Sequence, residues 1–140
     1  LQNHRFRSIS FLSLHLSTLK WQDADFNECY FEHVFLRSAS FNRTSFFFTD
    51  FININAYSSH INETTFSNVL IENSDFSSVT FNKSVFSNTT FRNVRFNNSI
   101  WDSVLLENCT FINCSFDGTS QTNVTLKNTP SFPKIASPTK

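Results

Sequence analysis

Residues 80–101 read TFNKSVFSNTTFRNVRFNNSIW, with a bulky apolar side chain at 81, 86, 91, 96 and 101. The spacing is five, and it persists in both directions. Backwards the series runs through Phe76, Ile71, Phe66, Ile61, Ala56, Phe51, Phe46, Phe41, Leu36, Phe31, Phe26, Trp21, Leu16 and Phe11 to Phe6. Forwards it continues through Leu106, Phe111 and Phe116. A second series lies two residues before each centre and holds small or aliphatic residues, from Ile9, Leu14, Leu19, Ala24 and Cys29 to Val104, Cys109 and Cys114. Neither series contains a charge, although 16% of the chain is charged. These are two inward positions per repeat.

A period of five is neither helical nor strand-like, since helices repeat every 3.6 residues and strands every 2. A chain that turns one large and one small side chain inward every five residues must bend at each repeat. It must then stack its turns, because one repeat cannot bury its own ring. Asn two residues after the centre recurs in pairs, at 68 and 73, 88 and 93, and 108 and 113, then at 128. Asn42, Asn62 and Asn82 form another 20-residue series. Both imply four repeats per coil, with Asn side chains hydrogen-bonding along the stack. The expectation is an all-β, four-sided β-helix of about six coils over residues 1–126, followed by a Pro, Ser, Thr and Lys tail or linker at 127–140. Ala56, where the column loses a ring, is the expected weak point, with a widened corner or bulge at 57–60. No capping helix is indicated, so both coil ends are expected to expose unpaired strand edges.

The five-residue period with central Phe, over residues 6–116, resembles the pentapeptide-repeat family. That resemblance implies a right-handed four-sided β-helix. Asn27–Val34 (NECYFEHV), Asn108–Asn113 (NCTFIN) and Phe111–Phe116 (FINCSF) are similar to stretches of the luminal domain of the synaptic vesicle glycoprotein 2 transporters. This second resemblance implies a luminal module whose C-terminal coil binds a protein by strand addition and through an Asn-linked glycan. On this sequence the edge is Phe111, Ile112, Asn113, Ser115 and Asp117. In that family the partner is botulinum neurotoxin A; Asp117 stands where the family carries an aromatic residue, so toxin binding is not carried over.

The remaining residues define function classes. Asn-X-Ser/Thr sequons occur at Asn42, Asn62, Asn82, Asn88, Asn97, Asn108, Asn113 and Asn123, all at outward positions, as N-linked glycans require. Sites 42, 62 and 82 fall about 5 Å apart per coil, which crowds full occupancy of all three. Cys29, Cys109 and Cys114 occupy the small inward position; they read as buried free thiols, with Cys109 and Cys114 close enough in the fold to approach one another. His4, His15, His33 and His60 share no metal-ligand spacing, so no metal site is expected. There is no Gly-x-Ser-x-Gly elbow, one glycine cannot build a phosphate loop, and a dense Phe column leaves no substrate cavity. No enzyme activity and no cofactor are expected.

Charges balance, eleven basic against eleven acidic residues, so neither a nucleic-acid face nor an acidic mimic of one is indicated. No apolar run reaches transmembrane length, which leaves a membrane link only through flanking sequence. The absence of an initiator Met and of a signal-like start reads as a mature or excised segment. Phe35, Phe47 and Phe48, off the inward phase, are candidates for an exposed patch. Two functions follow. The first is a non-catalytic, N-glycosylated recognition module in the secretory lumen or outside the cell. It offers glycans and an open strand edge to a protein partner. The second is a structural protein whose rods self-associate through their ends into a glycan-coated filament.

Overall fold

The computed structural model describes residues 2–133. The chain coils as a parallel β-solenoid in which each internal strand pairs with the strands twenty residues before and after it, for example Phe46↔Phe66↔Phe86. Three walls are sheets. The first has seven strands, from Arg5–Arg7 to Thr125–Lys127. The second has six, from Ser10–Leu12 to Thr110–Ile112. The fourth also has six, from Lys20–Gln22 to Ser120–Thr122. The third wall differs: isolated bridges such as His15↔Phe35↔Asn55↔Asp75 lead into β-turns closed by bonds such as Ala39 N to Leu36 O (3.1 Å) and Ser99 N to Phe96 O (3.1 Å). This agrees with the expected coil length and coil number, and shows that the four sides are not equivalent.

Every centre from Trp21 to Phe111 is buried, while Phe6, Phe11, Leu16 and Phe116 at the ends are only partly so. Rings stack on their equivalents one coil away, Phe26 on Phe46 at 4.9 Å and Phe66 on Phe86 at 4.5 Å, and meet rings of adjacent walls edge-on, as Phe81 meets Phe86 at 5.6 Å. The stacking distance is the rise of one coil, so strand pairing and ring packing ask for the same geometry.

The second inward series does more than fill space. Thr64 Oγ1 donates to Asn62 O (2.9 Å) and accepts the Thr44 amide (3.4 Å), and Ser84 repeats the arrangement beneath Thr64. Cys109 puts its thiol where those hydroxyls stand, 3.3 Å from Phe86 O. A buried hydroxyl is tolerated here because the backbone satisfies it. A charge would have no partner.

The residue two after each centre has positive φ in every repeat, from Asn3 (58°) to Asn128 (49°), including the only glycine, Gly118 (72°). Asn holds eleven of these positions, and it tolerates the left-handed region better than most residues. The corner conformation therefore accounts for Asn at this position of the repeat, but it recurs every five residues; the 20-residue spacing matches the ladders between stacked coils. Ladders do form: Asn62 donates to Asn42 and Asn82 to Asn62, both at 2.7 Å, and Asn113 donates to Asn93 at 2.6 Å.

Two expectations need correction. Residues 57–60 hold no bulge; Ser59 N bonds Ala56 O at 3.0 Å in the same turn as other coils. The missing ring is felt inside, as a void bordered by Leu36, Phe41, Phe46, Phe51 and Phe66, and by the Ser59 hydroxyl, which has no partner among the described residues. It has room for about one water molecule. Ala56→Val should fill it and raise stability by about 1 kcal/mol, whereas Ala56→Phe should overpack and lower it. Urea midpoints of the two variants, moving in opposite directions, would check this.

The C-terminal end is also not open. Residues 128–133, expected within a tail, fold across it: Phe132 is 3% exposed and packs on Trp101 (5.1 Å), Phe111 (5.1 Å) and Phe116 (5.4 Å). Thr129 Oγ1 accepts the Cys109 amide, Ser131 Oγ accepts the Phe111 amide, and Gln121 Nε2 donates to Pro133 O (2.9 Å). The remainder of the expected tail, 134–140, lies outside the described residues.

Candidate functional site

The eight sequons divide by position in the repeat. Asn42, Asn62, Asn82 and Asn97 follow a centre directly, on or beside a wall, and are half-buried. Asn88, Asn108, Asn113 and Asn123 stand at left-handed corners and are exposed. All eight point outward. In the first group the sequon hydroxyl is itself an inward residue, Thr44, Thr64, Ser84 or Ser99, each at most 1% exposed.

The residues of the expected C-terminal edge lie together on the last full coil, and each is differently placed. Thr110–Ile112 ends its sheet, as an edge strand must. Phe111 lies beneath Phe132 with its amide taken by Ser131; Ile112 is 42% exposed. Asn113 closes its ladder on Asn93, and Ser115 pairs back to Arg95. The Asp117 amide donates to Asn97 Oδ1 at 3.0 Å. Residues 128–133 therefore cover part of this edge.

Surface charges pair mostly across one coil. Arg43 bonds Asp23 at 2.8 Å and holds its carboxyl below the usual carboxylate range, and Glu63 and Lys83 continue that corner in alternating sign. Arg92–Glu72 (3.4 Å), Arg95–Asp75 (3.8 Å) and Arg5–Asp25 (3.8 Å) follow the same 20-residue rule. Each exposed pair adds little stability. Together they favour the 20-residue register, because a five-residue slip would break them. Asp50 is the reverse case: burial pushes its carboxyl up, with Glu72 adding to the shift against the Leu70 backbone amide.

All three cysteines are free thiols; Cys29 and Cys109 are buried, whereas Cys114, expected to be buried, is only half-buried because it lies near the C-terminal end of the described coils. Burial pushes the Cys109 and Cys114 thiols up, which keeps them in the unreactive protonated form. Among the described residues no three His, Cys, Asp or Glu side chains are grouped to hold a metal ion, and no helix is long and apolar enough to cross a membrane. Phe35 (41%), Phe47 (36%) and Phe48 (61%) are exposed but do not form one patch. Phe47 and Phe48 lie on the first wall and its corner, whereas Phe35 sits across the rod on the third wall, against the His15 ring at 4.7 Å.

The charge-paired, Phe-filled coil has structural counterparts. A trypsin-treated variant of QnrB1, a plasmid-mediated fluoroquinolone resistance protein, superposes with a TM-score of 0.66 at 10% identity, over 89% of this chain and 73% of that one. A second trypsin-treated QnrB1 variant gives 0.61 at 10% identity, over 96% and 85%. At such identity the likeness concerns the fold, a right-handed β-helix. No curated protein matches the sequence significantly. Family models described as pentapeptide repeats match residues 24–62, in eight copies, and residues 76–130, in nine. On that coverage, together with the coil geometry, the chain belongs to the pentapeptide-repeat family.

Proposed function

We propose that this chain is a non-catalytic recognition module of the secretory lumen or cell exterior, carrying N-linked glycans and presenting a strand edge to a protein partner. The observation that carries the reading is the contrast between interior and surface. The core is filled by stacked rings, and the void beside Ala56 has room for about one water molecule. Chemical variety is confined to corners, outward wall positions and coil ends. Such a rod offers contacts rather than a reaction chamber. The luminal placement rests on the sequons, four of them exposed, and on the likeness of residues 27–34 and 108–116 to the synaptic vesicle glycoprotein 2 luminal domain. Membrane attachment would come through flanking sequence alone.

The filament reading needs both ends free to stack, and Phe132 weighs against it at the C-terminal end. Enzymatic removal of N-glycans from native material should lower the mass by at least one glycan, and an unchanged mass would sink the secretory reading. Sedimentation should give a monomer at all concentrations; growth into long species would instead favour the filament.

A further inference from the structure

The flank of the rod carries an open groove along the corner between the second and third walls, enclosing about 600 Å³. The six-residue strands Leu70–Asp75 and Thr90–Arg95 carry the chain round this corner. One rim is a row of corner asparagines, Asn53, Asn73, Asn93 and Asn113, and the other includes Asn55, Asp75 and Arg95. Four successive coils contribute, so the groove is roughly 14 Å long at about 4.8 Å per coil. The corner amides are held in place yet not used up. Asn93 donates one N–H to Asn73 Oδ1 (3.0 Å), and its own Oδ1 accepts from Asn113 (2.6 Å). A primary amide has two N–H groups and two lone pairs, so Asn93 keeps one of each for a ligand. The ladder also fixes where these groups point, which lowers the ordering cost of binding.

Charge in the groove is cancelled. Arg95 and Asp75 face one another across one coil at 3.8 Å, and Asp75 also accepts the Ser77 amide at 2.9 Å. Every other side chain lining the groove is neutral. The groove is also clear of glycan acceptors over most of its length. Asn53, Asn55, Asn73 and Asn93 have no Ser or Thr two residues on, and Asn113, on the last of the four coils, is the one sequon that borders it. Carbohydrate attached at the other sequons would leave this strip uncovered.

From these features we infer that the groove binds a neutral, extended oligosaccharide of equatorially linked sugars, laid along the rod axis. Such a chain advances by nearly the same step per sugar as the rod does per coil, about 4.8 Å, so successive sugars meet successive amides. A hydroxyl both donates and accepts, as does the free side of each corner amide. A peptide strand is disfavoured, because Leu70–Asp75 and Thr90–Arg95 already pair with each other and with their outer neighbours. A nucleic acid would find one guanidinium, and that one beside a carboxylate. The inference goes beyond the recognition reading: its ligand is a sugar rather than a protein, and neither end of the rod takes part.

The test titrates the intact protein with cellotetraose, maltotetraose and tetragalacturonate in a calorimeter. Cellotetraose should bind at least about tenfold more tightly than the other two, because maltotetraose curves away from a straight groove and tetragalacturonate adds charges that Asp75 repels. In NMR spectra of the parent protein, the side-chain amide signals of Asn73 and Asn93 should shift as cellotetraose is added. The double variant Asn73→Gly, Asn93→Gly removes two amides while keeping a residue suited to positive φ, so it should stay folded and lose at least about tenfold in affinity. Asn68→Gly, at a corner outside the groove, should bind as the parent does. Equal binding of the three sugars overturns the proposal, as does a double variant that binds like the parent or a titration that leaves the Asn73 and Asn93 signals in place. If cellotetraose binds only after enzymatic removal of N-glycans, the groove belongs to the chain's own Asn113 glycan and the proposal falls. If no sugar binds, it falls as well, while the glycan and sedimentation results stand as the separate measure of the recognition reading.

Discussion

Phe86→Ala is expected to cost about 3–5 kcal/mol, enough to unfold a large share of the molecules at 37 °C. Phe86 is 0% exposed, stacks on Phe66 at 4.5 Å, meets Phe81 edge-on at 5.6 Å and Phe91 at a tilt at 5.4 Å. Alanine removes the transfer energy of the ring and leaves a cavity whose walls are held by strand pairing on both sides, so they cannot collapse inward. Phe86→Leu should cost much less, about 1–1.5 kcal/mol, because Leu106 and Leu126 occupy the same column in the next two coils. Urea denaturation followed by Trp fluorescence measures both. Loss of less than about 1 kcal/mol in the alanine variant would mean that the column is not the main source of stability.

Phe132→Ala is expected to cost about 2–3 kcal/mol, less than an internal ring because Phe132 covers only one side of the column. Its second effect is the more diagnostic. Trp101, Phe111 and Phe116 would be uncovered at an end where three sheets also stop. Exposed apolar surface beside strand edges favours pairing with another chain. Sedimentation at rising concentration should show association of the variant but not of the parent. Phe132→Leu should restore the monomer. A variant that stays monomeric at every concentration would show that residues 128–133 cover the end without Phe132.

The core was legible because its two inward positions obey a rule that composition cannot disguise: from Phe6 to Phe116 no charge enters either series. Coil length was legible from outward Asn because Asn side chains bond to one another across one coil, twenty residues apart. A φ near 55° is shared by every corner, so it admits Asn93 and Asn113 there without setting their spacing, and the Asn113–Asn93 bond is what ties them at twenty residues. The inequality of the walls was hidden, since the turn closing Leu36–Ala39 uses the same five-residue pattern as the strands. Phe132 was hidden for a different reason. Continuing the phase from Phe116 makes Ser131 the inward residue, and Phe132 reaches the column only because no further coil occupies that space. For the same geometric reason Ile9 and Leu14, inward by phase, are exposed by position. Periodicity describes the middle of a repeat protein well and its ends poorly.

Phe132 follows every other ring of the column in sequence, so it leaves the ribosome after all of them. Each coil touches only its neighbours twenty residues away, so the rod can wind coil by coil as the chain emerges. Until Phe132 emerges, the newest coil is a bare template able to accept a strand from any nascent chain nearby. The plug thus serves as punctuation: it ends the winding, and a chain truncated before it would remain adhesive at its growing end.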